Sequence, residues 1–226
     1  MWLIDSSIGR KFVMSLTGIF LILFLTFHSV MNVTILLGDG GHAYNAVCEF
    51  LGANWYAVIG TGIIAGGFVA HIIFAILLTL QNYKARGKSR YAVTKKQEGV
   101  EWSSKNMLVL GIIVLGFLLL HLYQFWYKMQ YAELTHQHIG EFHPADGTAY
   151  VNALFSNPVY SILYIVWLVA LWFHLAHGFW SSLHSIGLNN KTWIPRLKTI
   201  STVYATIITV LFMAVPIFYL FGYRAL

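Results

Sequence analysis

Five stretches of this 226-residue chain contain no Asp, Glu, Lys or Arg: 12–37, 55–83, 106–127, 158–190 and 199–223. An α-helix needs about 20 apolar residues to cross about 30 Å of hydrocarbon, and every stretch exceeds that. Inside a bilayer each backbone N–H and C=O must be satisfied within the protein, so only helices and closed barrels span it. Barrel strands are about half as long and alternate in polarity, which these stretches do not. The expected fold class is therefore all-α, an integral membrane bundle of five transmembrane helices over about 12–37, 55–83, 106–127, 158–187 and 199–223, forming one domain across 1–226. Composition agrees: 10% of residues are charged, against about 25% in soluble domains, too few to cover a water-facing surface.

The basic residues give an orientation. Arg10 and Lys11 precede the first span. Lys84, Arg86, Lys88, Arg90, Lys95, Lys96 and Lys105 lie between the second and third, and Lys191, Arg196 and Lys198 between the fourth and fifth. Lys128 and Arg224 alone fall on the other side. The positive-inside rule then places the N-terminus in the cytoplasm and the C-terminus outside. The net charge of +6 is thus a topology signal, and no nucleic-acid partner is expected. The apolar run after Lys11 is much longer than a cleavable signal's core of about 7–15 residues, so the first helix is expected to stay in the mature protein.

Cys48 is the single cysteine. It excludes an intrachain disulfide, a CxxCH haem attachment, iron–sulfur ligation and thiolate zinc sites. A metal centre in this chain must rest on histidine. Of the ten histidines, His28, His71, His121 and His177 sit on four different spans, deep in apolar sequence, with His174 as a fifth candidate. Ionisable residues at such depth face the bundle interior for a reason, and haem ligation is one. With alternating spans, His28 and His121 lie toward the outer side. His71 and His177 lie toward the inner side, offset by roughly 10 Å at 1.5 Å per residue. Two bis-histidine haems follow, an outer one on His28 and His121 and an inner one on His71 and His177. His174 and His177 share a face of the fourth span, and spacing leaves the choice open. Gly178, offering room beside the backbone, favours His177. His184, further along that face, and Ser15, at the inner end of the first span, are candidates to bond an inner propionate.

Other features have plainer readings. Gly60, Gly62, Gly66 and Gly67 fit a space for haem and close helix packing equally well. Pro216 is expected to kink the last span. Trp55, Tyr127 and Trp193 fit an interfacial belt. His136, His138 and His143 lie in a loop without helical spacing or a fixed fourth ligand, which argues against zinc there.

The segment SSIGRKFVMSLTGIFLILFLTFHSVMN (6–32) resembles the first helix of the dihaem cytochrome b subunit of succinate:quinone oxidoreductases, the group of bacterial succinate dehydrogenases and fumarate reductases. The likeness continues through TILLGD (34–39), LLLHLY around His121 and the His177–Gly178 pair. The resemblance implies two haem b groups, held by His28 and His121 (distal) and His71 and His177 (proximal). It also implies flavoprotein and iron–sulfur subunits docked on the cytoplasmic side, and electron transfer between them and a quinone, menaquinone being the expected type. Glu49 stands near the position of an acidic residue implicated in menaquinol oxidation in relatives. Some relatives carry a glutamate two residues before the fourth ligand; Leu175 stands there here. A cytochrome b subunit of a hydrogenase or formate dehydrogenase, or a transporter using histidines as a proton relay, is the alternative.

Overall fold

The computed structural model describes residues 6–86 and 101–221. Lys88, Arg90, Lys95, Lys96 and Arg224 lie outside the described residues, as does the Arg86 side chain. All secondary structure among the described residues is helical, and five helices are long and apolar enough to cross a membrane: Ser7–Leu36, Trp55–Ala85, Met107–Thr135, Pro158–Ser185 and Trp193–Leu220.

The helices are labelled in chain order. The first span is α1 (Ser7–Val33), extended by a 3-10 turn at Thr34–Leu36. A short α2 (His42–Phe50) leads to the second span, α3 (Trp55–Arg86). After the short α4 (Trp102–Lys105), the third span runs as α5 (Met107–His121), a π-helical segment Leu122–Tyr131 and α6 (Ala132–Thr135). The short α7 (Gly147–Phe155) precedes the fourth span, α8 (Pro158–Ser185), and α9 (Trp193–Leu220) is the fifth.

Helix ends differ from the charge-defined limits because caps, not charges, end a helix. Ser6 Oγ accepts from the Gly9 N–H at 2.9 Å, so α1 starts before Arg10 and Lys11. Asn190 Oδ1 accepts from the Thr192 and Trp193 N–H groups at 3.1 and 2.8 Å. That starts α9 six residues before the uncharged stretch, with Pro195 in the first turn, where it takes no bond from the ladder. Arg196 and Lys198 are therefore helical, their stems free to reach the membrane surface. Pro216 is buried inside a continuous α9.

The two loops opposite the basic ends carry α2 and α7. Asp39 accepts from the Gly41 and Ala43 N–H groups at 3.0 and 2.7 Å, and these bonds hold its carboxyl below the usual range. Gly41 enters α2 at φ 83°, a left-handed conformation glycine adopts without strain. Asp146 caps α7 by accepting from Ala149 N–H and also takes a bond from Asn45 Nδ2 at 3.0 Å. Asn45 Oδ1 accepts from Thr148 N–H, and Thr148 Oγ1 donates to the Gly41 carbonyl. The loops thus lock together at one end of the bundle. At the other, Arg10 reaches Gln81 at 3.3 Å and Lys198 pairs with Glu101 at 2.9 Å.

Packing is uneven. Helices α8 and α9 form the closest pair, and α1 lies against α3, α8 and α9. Gly67 of α3 has no room for a Cβ beside the Phe20 ring, so it is a contact glycine, whereas Gly60, Gly62 and Gly66 face open space. Helix α5 rests on α8, but α3 and α5 have little backbone contact. Their link is Gln130, in the π segment. Its Oε1 accepts from Thr61 Oγ1 and Trp126 Nε1, and its Nε2 donates to the Leu51 and Gly52 carbonyls. The largest buried cluster joins Ile35, Tyr44, Phe155, Tyr164, Trp167 and Tyr219 beneath the locked loops.

Candidate histidine sites

Four spans bring their histidines together in two facing pairs. His28 of α1 and His121, the last residue of α5, have ring centres 5.9 Å apart and planes at 82°. His71 of α3 and His174 of α8 have centres 6.5 Å apart and planes at 65°. The first pairing is the one expected. In the second the fourth-span partner is His174, not His177. His177, one turn on, turns away. Its Nδ1 lies 3.6 Å from Glu101 Oε2, and its ring meets Trp180 at 5.0 Å.

The reason lies in what flanks each ring. Gly18 of α1 stands beside His71 and Gly111 of α5 beside His174. A Cβ at either would lie 3.6 or 3.8 Å from the Cε1 of the neighbouring ring. Gly178, the expected space-maker, would carry a Cβ with nothing within 4 Å. Meanwhile Glu101 draws His177 toward the basic end. Burial raises the Glu101 carboxyl, but Lys198 and His177 outweigh that and hold it below its ordinary range.

Each pair has polar neighbours. Thr17 Oγ1 lies 3.2 Å from His71 Nδ1 and also donates to the Val13 and Met14 carbonyls at 3.0 Å. Tyr164 Oη donates to Gln124 Oε1 at 2.6 Å and lies 3.5 Å from His121 Nδ1. Asn32 Nδ2 donates to the His28 carbonyl at 2.7 Å and lies 3.4 Å from His28 Nδ1. His174 Nδ1 is buried with no hydrogen-bond partner. Phe24 stacks on His28, and Phe125 and Trp167 close around His121. Of these neighbours the sequence marks Gln124 and Asn32, polar residues three and four positions from a histidine. Thr17 and Tyr164 come from other helices and have no such mark.

The remaining candidates are placed apart. Ser15 is buried and donates to the Lys11 carbonyl at 2.9 Å, which occupies its hydrogen. His184 is exposed, its ring centre 6.2 Å from that of Trp180. Glu49 is exposed in an open cleft that Glu133, Asn54, Phe50 and Ala46 also line, on the side of the locked loops. His136, His138 and His143 are exposed, and no group of three or more metal-binding side chains occurs among the described residues. Cys48 lies under α7, where burial pushes its thiol up to about 11.

One structural detail reaches the turn between His177 and Trp180. Ser201 of α9, almost fully buried, donates to the Ala176 carbonyl at 2.6 Å and accepts from the Trp180 N–H at 3.2 Å. Its hydroxyl thereby bridges the two ends of one i to i−4 step of α8.

The donor sets fit bis-imidazole haem. Two imidazoles sharing one metal through bonds of about 2 Å each stand about 6 Å apart at their centres once ring radii are added. Both pairs match that spacing. No family model matches the chain, and neither a curated protein nor a solved structure matches it.

Proposed function

We propose that this chain is a dihaem cytochrome b of the membrane, carrying electrons between an iron–sulfur partner and a quinone as the anchor subunit of a succinate:quinone oxidoreductase. The observation that carries the reading is the pair of facing imidazoles at each of two places, drawn from four helices. His28 and His121 would hold the outer haem. His71 and His174 would hold the inner one, with His174 taking the place the sequence gave to His177. Such a group supplies one-electron carriage when bound.

The chain's own residues do the rest. Phe24, Phe125 and Trp167 keep water from the outer pair, and a dry site tunes the potential of what it holds. Quinol oxidation releases protons, so the headgroup needs an acceptor that communicates with water. Glu49, exposed in its cleft beside Glu133, meets that need on the side opposite the basic ends. The charge distribution supports a cytoplasmic N-terminus in a bacterial inner membrane, and puts the flavoprotein and iron–sulfur subunits at the face of Glu101 and Lys198. The family assignment rests on the motif around His28, which also separates this reading from cytochromes of hydrogenases and formate dehydrogenases.

A reduced-minus-oxidised spectrum of the purified chain tests the reading. Two low-spin b-type signals are expected; a colourless protein would overturn it and favour the transporter. Glu49→Gln is expected to slow quinol-dependent turnover while both haems remain. Unchanged turnover would remove Glu49 from the mechanism.

A further inference from the structure

In each facing pair, one histidine has its Nδ1 beside a hydroxyl that has a nearer acceptor for its own hydrogen. Thr17 donates to the carbonyls of Val13 and Met14. Tyr164 donates to Gln124 Oε1 through a short bond of 2.6 Å, both residues being buried. With its hydrogen so placed, each oxygen has lone pairs to offer its histidine. Thr17 Oγ1 lies 3.2 Å from His71 Nδ1 and Tyr164 Oη 3.5 Å from His121 Nδ1, and in this arrangement the ring nitrogen is the donor.

A neutral imidazole with its proton on Nδ1 has its free lone pair on Nε2, the form that binds a metal. We propose that Thr17 and the Tyr164–Gln124 pair are positioning residues that fix His71 and His121 in the Nε2-ligating tautomer, one histidine of each haem pair. The other member of each pair has no such acceptor. His174 Nδ1 has no partner, and the Asn32 amide nitrogen 3.4 Å from His28 Nδ1 is a donor, so His28 keeps its Nε2 for a metal only by giving up that contact. Each iron site thus has one imidazole made more electron-donating by its hydrogen bond and one that is not. Gln124 is central although it touches no ligand. Remove its oxygen, and the Tyr164 hydroxyl is free to rotate and donate to His121 Nδ1, forcing the proton to Nε2.

This inference rests on the dihaem reading, and potentiometric titration of the purified, haem-loaded chain tests it separately. Thr17→Val is expected to raise the midpoint potential of the inner haem alone, the ferrous-to-ferric ratio at fixed poise increasing by up to about tenfold, while Thr17→Ser stays at the parent value. Tyr164→Phe is expected to raise the potential of the outer haem alone. Gln124→Leu is expected to weaken outer-haem binding more than Tyr164→Phe does. The double variant should return to the Tyr164→Phe level, because the misdirected donor is gone. A packing role predicts the reverse order, with the double variant worst, and that result would overturn the proposal. So would potentials unmoved in Thr17→Val and Tyr164→Phe with both haems bound. If a variant fails to assemble, the other site decides by the same measurement. A parent chain without haem would instead strike the dihaem reading itself.

Discussion

His174 and His177 stand three residues apart on α8, about 60° apart in azimuth and about 4.5 Å in rise. Depth and periodicity cannot separate two such positions; the side chains of other helices do. Gly18 and Gly111 lie beside His71 and His174, while Glu101 lies 3.6 Å from His177. Gly178 does mark open space, but a glycine beside a histidine in sequence says nothing about which helix faces that histidine. The consequence is measurable. His174→Ala is expected to remove about half of the haem absorbance, one of two bis-histidine sites, and His177→Ala to leave both low-spin signals in place. His28, His71 and His121 were legible because each is the lone histidine in its span.

At the scale of elements, the uncharged stretches locate spans and miss their ends. Hydrocarbon forbids charge, but a helix stops where its orphan N–H and C=O groups find partners. The Ser6 and Asn190 caps, and the third span's continuation past Lys128, follow from that. Gln130 makes four hydrogen bonds, one to Trp126 within the π segment, one to Thr61 of α3 and two to the Leu51 and Gly52 carbonyls just before α3. Gln130→Leu strands several of those partners, and thermal unfolding in detergent is expected to show a loss of about 1–3 kcal/mol. The Glu101–Lys198 pair is partly exposed, so Glu101→Gln is expected to cost only about 0–1 kcal/mol by the same assay. The Glu101 carboxyl is held low in the folded protein. Its contribution is therefore complete above the ordinary carboxylate range and fades as pH falls through the lowered value. Raising pH from neutrality should leave the effect of Glu101→Gln unchanged; acidification should abolish it.

For the whole molecule, the count and class of spans were legible because bilayer physics allows so few solutions. The interlocked loops were not, since their order comes from Asn45, Asp146 and Thr148 meeting across about a hundred residues of sequence, which no local pattern announces. The proposed orientation is open to labelling in intact cells. With Cys48 replaced by Ser, His138→Cys is expected to react with a membrane-impermeant maleimide from outside, and Lys191→Cys only after permeabilisation. The opposite pattern would invert the topology and with it the inner and outer labels of the two histidine pairs.

Ser201 ties these scales together. By splicing its hydroxyl into the ladder of α8 at Ala176 and Trp180, it makes the last span a structural part of the fourth. The two helices cannot slide past one another without breaking both of these bonds. Any strain the membrane applies to the carboxyl-terminal helix is delivered directly to the turn that carries His177.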